Sequence, residues 1–255
     1  MIEQDCAQAK IIENDTVRFR DTKNLTVALV RHTTSRKLDP HLHHHALVMN
    51  FTQKADKQWR SLASSTNNFK GITNGFAEQV YRNQIYYGVL YRSNLASRVI
   101  QLGGEIETVG PHGLWEIKGI PRGAREVMSK RRQQIEEQLK ISNHQSYRVA
   151  DIITLNTRDK KPKDLKLMDL QRVWQNELTK VGFSSSAFIT NLAKNKDRER
   201  AMNSNQELAG RILEDAIEHL SQFEFKLDYP KIIAKGLEFG IGKVSHGELV
   251  MAKES

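Results

Sequence analysis

Apolar and polar positions alternate through the first third of the chain, and a helical period takes over after it. Val17-Arg18-Phe19-Arg20 alternates, a polar stretch Asp21-Thr22-Lys23-Asn24 follows, and Leu25 to Val30 resumes an apolar run. A period of two bounded by turn residues reads as a hairpin with a longer loop. Ala46 to Phe51 is a further apolar strand, and Trp59 to Leu62 is placed to return antiparallel to it. From Phe76 the spacing changes. Phe76, Val80, Tyr87, Tyr91, Leu95 and Val99 recur at intervals of four and seven, which predicts one long helix stopped by Gly103-Gly104.

Glu105 to Val109 and Leu114 to Ile117 form another hairpin pattern, joined through Gly110-Pro111-His112-Gly113, with His112 as a turn residue. After Ile120-Pro121, a charged helix runs from Arg122 to Lys140 and carries the cluster Lys130-Arg131-Arg132. Residues 141 to 150 read as a linker, with helical character from Val149 to Thr154. Leu165 to Val181 is amphipathic on Leu167, Leu170, Trp174 and Leu178, is capped by Gly182, and has Trp174 in its core face. The polar, charged stretch 184–206 is the best domain boundary, and Glu207 to Leu220 is another helix. The pattern is therefore α+β: an antiparallel sheet flanked by helices over residues 1–183, a charged linker over 184–206, and a helical segment over 207–255.

Composition narrows the class. The 255 residues carry a formal charge of +9, with a sequence pI near 9.6, a balance suited to polyanionic partners. A single cysteine, Cys6, excludes an intramolecular disulfide and fits a reducing cytoplasm. No apolar run approaches the roughly 18 residues that span a bilayer, and residues 1–15 are polar and mixed in charge, unlike a signal peptide. No phosphate-binding Gly-x-x-x-x-Gly-Lys-Ser/Thr loop occurs. Gly236 to Lys243 has neither that spacing nor a hydroxyl after its lysine.

The candidate chemistry lies between Val27 and Asn50. His32 closes one apolar run, and His41, His43, His44 and His45 open the next. Side chains at i and i+2 share one face of a strand, so His43 and His45 can point together, with His32 joining them from the neighbouring strand. Three nitrogen ligands leave coordination positions open, as a catalytic metal requires. Spacing alone leaves the register ambiguous, because His41 and His43 are themselves an i, i+2 pair. A solvated histidine-rich loop has the same composition.

The string His32-Thr33-Thr34-Ser35-Arg36, then Asp39-Pro40-His41-Leu42-His43-His44-His45, then Ala46 to Asn50, resembles the metal-binding motif of the MobF conjugative relaxases. Gln58 to Leu62, Asn83-Gln84-Ile85 with Tyr91-Arg92, and Gly110 to Glu116 continue the likeness, which covers residues 15–185 well and the rest loosely. The resemblance implies the palm-like fold of relaxases and rolling-circle nucleases, incomplete at its N-terminus. It assigns the ligands to His32, His43 and His45, and sends His41 and His44 to loop and opposite-face positions. It implies a divalent ion, magnesium, manganese or zinc. Three imidazoles suit manganese, zinc, cobalt or nickel better than magnesium on softness. The implied reaction is site- and strand-specific nicking and rejoining of single-stranded DNA at an origin of transfer. A tyrosine attacks the scissile phosphate while the metal stabilises the developing charge.

Arg36 and the basic loop residues Arg158, Lys160 and Lys161 are the expected DNA-backbone contacts, and the Lys130 cluster is a weaker one. Relaxosome and type IV secretion components are the implied protein partners, and the bacterial cytoplasm the implied compartment. The tail from Phe223 to Glu254 resembles the segment leading into the family's helicase part. The chain departs from the family at the nucleophile, which in relatives lies near the N-terminus. Its first tyrosine is Tyr81, and Tyr81, Tyr86, Tyr87 and Tyr91 read as packing residues of one helix. The expectation is therefore a relaxase portion, inactive alone. A non-catalytic single-stranded DNA-binding module and a decayed remnant are the alternatives.

Overall fold

The structure, a computed structural model, describes residues 1–63, 75–141, 166–196 and 206–254. Its strands are β1 (Gln8–Glu13), β2 (Thr16–Asp21), β3 (Val27–Thr34), β4 (Pro40–Val48), β5 (Thr52–Gln53), β6 (Trp59–Arg60), β7 (Ile106–Gly110) and β8 (Leu114–Ile117). The first five helices are α1 (Ile2–Cys6), α2 (Phe76–Arg82), α3 (Gln84–Gln101), α4 (Arg122–Val127) and α5 (Lys130–Ile141). They are followed by α6 (Leu167–Lys180), α7 (Ser185–Lys196), α8 (Gln206–Ser221), α9 (Tyr229–Phe239) and α10 (His246–Glu254). Mixed helix and antiparallel pairing is the α+β class expected. Among the described residues the strands pair two by two, as β1–β2, β3–β4, β5–β6 and β7–β8.

Two compact units emerge, each discontinuous in sequence: residues 1–28, 47–118 and 192–255 form one, and residues 29–46 and 119–191 the other. The first has a packed helical core. Tyr86 and Val89 of α3, Ala209, Ile212 and Leu213 of α8, Ile233, Ala234 and Leu237 of α9, Val244, and Leu249 of α10 are buried against one another. Burying an aliphatic side chain of this size contributes roughly 1.5–3 kcal/mol. Pro230 sits in the first turn of α9, where its missing N–H costs nothing. At Gly240 a Cβ would collide with Val244 Cγ2 and lie 3.0 Å from Ile212 Cδ1, so only glycine lets the chain leave α9 this close to α8.

Two expectations are corrected here. β2 pairs with β1, not with the strand after it. Gln8↔Asp21 through Glu13↔Thr16 form a continuous antiparallel register closed by the two-residue turn Asn14-Asp15. Both turn residues have positive φ, 48° and 57°, as a hairpin turn matched to strand twist requires. The bulky residues of the long helix also indicated the wrong face. The helix is interrupted at Asn83, and α3 buries Tyr86, Val89, Ser93 and Ala96, while Tyr91 stays 66% exposed. Small residues let this face approach its neighbours closely, which a count of large apolar residues cannot register.

The expected β7–β8 hairpin is present, with His112 at φ 58° in its turn. In the second unit the helix expected from Arg122 to Lys140 is broken at Met128-Ser129 into α4 and α5. Helix α6 ends where Gly182 was expected to cap it. Gly182 has φ 73°, and the Phe183 N–H donates to Leu178 O at 3.0 Å.

Candidate metal centre

β3 and β4 are joined by the loop Ser35–Asp39. The Ser35 N–H donates to Asp39 O at 2.9 Å at one end of the pair, and the Met49 N–H to Thr26 O at 2.9 Å at the other. This is antiparallel geometry, and it brings His32 beside His43 and His45. Each histidine of the triad offers a nitrogen within 4.8 Å of the others. His32 and His43 are half-buried and His45 is exposed, so the group opens to solvent on one side. Ring centroids lie 5.3 Å apart for His32–His43, 4.6 Å for His32–His45 and 5.1 Å for His43–His45.

The donor chemistry fits a divalent cation. His43 Nδ1 lies 2.9 Å from His41 O, and a carbonyl only accepts, so Nδ1 carries the proton. The lone pair of the neutral ring is then on Nε2, and the hydrogen bond holds the imidazole in place, as outer-shell bonds do for metal-bound histidines. His41 belongs to β4 itself rather than to a loop, and its ring stacks on His43 with centroids 4.5 Å apart. His44, one residue out of step, falls on the other face of β4.

The loop that spaces the two histidine-bearing strands is heavily hydrogen-bonded. Ser35 Oγ accepts from the Lys37 N–H at 3.2 Å and the Asp39 N–H at 3.1 Å, and donates to Asp39 Oδ2 at 2.9 Å. Leu38 adopts φ 63°, an unusual conformation for a branched side chain, and its carbonyl accepts the Trp174 indole N–H at 2.8 Å. Trp174 is thus half-buried in α6 with its polar edge satisfied, in keeping with a structural role. Asp39 is only 5% exposed. Its Oδ2 also accepts the Arg131 N–H at 3.0 Å, capping the first turn of α5. Asp39 stands within the sequence motif, where nothing in its neighbours marks a role for it. Its separation of 92 residues from Arg131 left no local signal to find.

Of the expected DNA contacts, Arg36 is exposed in this loop. Arg158, Lys160 and Lys161 lie outside the described residues. In the Lys130 cluster, Lys130 pairs with Glu177 at 2.6 Å and Arg132 with Glu136. The tyrosines of α3 face other tasks. Tyr86 is buried against the core, its hydroxyl 3.0 Å from His246 Nε2, and burial pushes its pKa up to about 12. Tyr87 donates to Asp5 Oδ2 at 3.1 Å and lies 3.3 Å from the Cys6 thiol. Burial raises its pKa first, and these two partners raise it further. A phenol that resists ionisation is a poor nucleophile, which agrees with the packing role expected of both.

Comparison with known proteins places these features in context. The family profile described as TrwC relaxase matches residues 1–181. The multifunctional conjugation protein TraI of Escherichia coli (strain K12) is 39% identical over 170 residues, 66% of this chain. The chain spans only 9% of that relative's length. The conjugative relaxase TrwC in complex with oriT DNA, in a metal-free structure, superposes with a TM-score of 0.62 at 27% identity, covering 72% of this chain and 61% of that one. Its metal-bound structure with oriT DNA gives 0.61 at 28% identity, covering 72% and 59%.

Proposed function

Because this chain belongs to the TrwC relaxase family, we propose that it is the metal-carrying portion of a conjugative DNA relaxase. Its substrate is single-stranded DNA at an origin of transfer, nicked and rejoined by tyrosine transesterification. His32, His43 and His45 hold one divalent cation, and their convergence on one face of the β3–β4 hairpin is the observation that carries the reading. Once bound, the ion supplies Lewis-acid stabilisation of charge on the scissile phosphate. The His43 ring is held by its bond to the His41 carbonyl, which leaves Nε2 as the nitrogen able to ligate. Arg36, with Arg158, Lys160 and Lys161, contacts the DNA backbone, supplying affinity that falls with salt rather than sequence discrimination.

Of the tyrosines of α3, Tyr86 and Tyr87 are held in packing and hydrogen bonds and are poorly suited to attack, while Tyr91 stands exposed. In this reading residues 1–255 load metal and bind DNA, and the attacking tyrosine is one supplied in trans. Binding without cleavage makes a single-stranded DNA-binding module the second reading, favoured by the same engagement of Tyr86 and Tyr87. In a bacterial cytoplasm the partners are oriT DNA and the relaxosome and type IV secretion proteins that deliver it.

Two measurements test this. Isothermal titration with Co2+ or Mn2+ should give one site per chain, absent in His32→Ala; no binding by the wild-type chain sinks the metal reading. A labelled oriT oligonucleotide should bind with a steep salt dependence, and be cut when a tyrosine-bearing relaxase N-terminal segment is added. Binding that stays cleavage-free with that segment present favours the module.

A further inference from the structure

Asp39 is a buried carboxylate in the loop that connects the two ligand strands, and only half of it is satisfied. Oδ2 takes the Ser35 hydroxyl at 2.9 Å and the Arg131 N–H at 3.0 Å. Among the described residues, Oδ1 is buried without a hydrogen-bond partner. A buried, half-satisfied carboxylate is costly to keep, so its retained bonds must hold something in place.

Three features of the surroundings indicate what is held. The first turn of α5 carries Lys130, Arg131 and Arg132. Cations are unfavourable at the positive end of a helix dipole, and a carboxylate there offsets them. Leu38, directly before Asp39, has a left-handed backbone conformation that is costly unless its surroundings enforce it. The Trp174 indole on its carbonyl supplies one enforcing contact and Asp39 the other. Finally, the Ser35–Asp39 loop begins three residues after His32 and ends four before His43. A change of loop conformation would alter how β3 and β4 bring His32 to His43 and His45.

We propose that Asp39 is the positioning residue of the metal centre: by anchoring the Ser35–Asp39 loop to the N-terminus of α5, it fixes the spacing of the three imidazoles without touching the ion. This rests on the metal reading above and adds to it a residue outside the ligand set. Because Asp39 acts through the loop rather than on a ligand histidine, its loss should cost no more than the about 10–100-fold in metal affinity that losing a histidine's own hydrogen-bond partner costs.

The test uses Co2+, whose visible spectrum reports ligand geometry, with the whole chain and three variants. Asp39→Ala removes both acceptors and should weaken Co2+ binding by up to about 10–100-fold and shift its absorption bands. Asp39→Asn keeps an oxygen for Ser35 and Arg131 and should restore most of the affinity and the wild-type spectrum. Ser35→Ala, a milder change, should give an intermediate loss and carries the test should Asp39→Ala fail to fold. A folded Asp39→Ala or Ser35→Ala with unchanged Co2+ affinity and spectrum, merely less heat-stable, overturns the proposal. Metal-free NMR separates the two readings. Imidazole signals of His32, His43 and His45 should move in Asp39→Ala and return in Asp39→Asn. Absence of Co2+ binding by the wild-type chain would refute the metal reading alone, whereas imidazole signals that stay put refute the role of Asp39.

Discussion

In α9, Ile233 and Leu237 are fully buried. On the β3–β4 hairpin, Leu29 and Leu42 stand 69% and 67% exposed. The helical core of α3, α8, α9 and α10 is held by apolar side chains packed from several helices. The hairpin that carries the histidines has few buried residues near it, and those include Thr34 and Asp39 rather than large aliphatics. Its shape comes from directional bonds: Ser35 and Asp39 within the loop, the Arg131 amide and the Trp174 indole from helices far along the chain. A packed core tolerates relaxation and loses stability in proportion to volume removed. A site fixed by a few hydrogen bonds loses geometry first, with little change in stability. Stability and metal affinity should therefore respond to different residues.

The largest expected effect is on the core. Leu237→Ala should cost about 2–5 kcal/mol of unfolding free energy, read by urea titration, while the folded fraction binds Co2+ with wild-type affinity. Loss of metal affinity in the folded protein would break the contrast. Conversely, His32→Ala should weaken Co2+ binding beyond the roughly 100-fold upper cost of an outer-shell loss. Its metal-free stability should stay within about 0.5 kcal/mol of wild type, as for surface changes. Calorimetric titration and thermal melts of the same sample check both.

Gly240→Ala sharpens the core side. The added Cβ collides with Val244 and crowds Ile212, so a loss of about 1–3 kcal/mol is expected from overpacking. An unchanged melting temperature would mean that α8 and α9 can separate at no cost. A smaller, pH-dependent effect belongs to His246 at the start of α10. Burial, outweighing the nearby Asp5, holds its pKa below the ordinary histidine value. The unfolded chain takes the proton first, so stability present above about pH 6.5 drains away as pH falls through the depressed folded value. In His246→Gln that part of the acid slope should vanish from urea midpoints measured across this range. The smallest effect is expected for His41→Ala. It removes a stacked ring but leaves the backbone carbonyl that holds His43, so Co2+ affinity should change little. A loss as large as that of His32→Ala would put His41 in the ligand set.

Local pattern was enough for much of this molecule. The period of two placed strands on both sides of the histidines, i, i+2 spacing put His43 and His45 on one face, and glycines marked the ends of α3 and α6, because each depends only on neighbours in the chain. Asn14-Asp15 is an equally local signal for the β1–β2 hairpin, set in a polar composition that suits a plain loop as well. Other features had no local trace. The buried face of α3 follows from which helices approach it, and small residues permit that approach without announcing it. The break between α4 and α5 goes with an acceptor, Asp39, more than ninety residues earlier in the chain. The spacing of His32 from His43 and His45 likewise rests on Trp174 and Arg131, which folding alone brings to that loop. Short-range geometry is written in residue order; a hydrogen bond between distant segments exists only after the chain has packed.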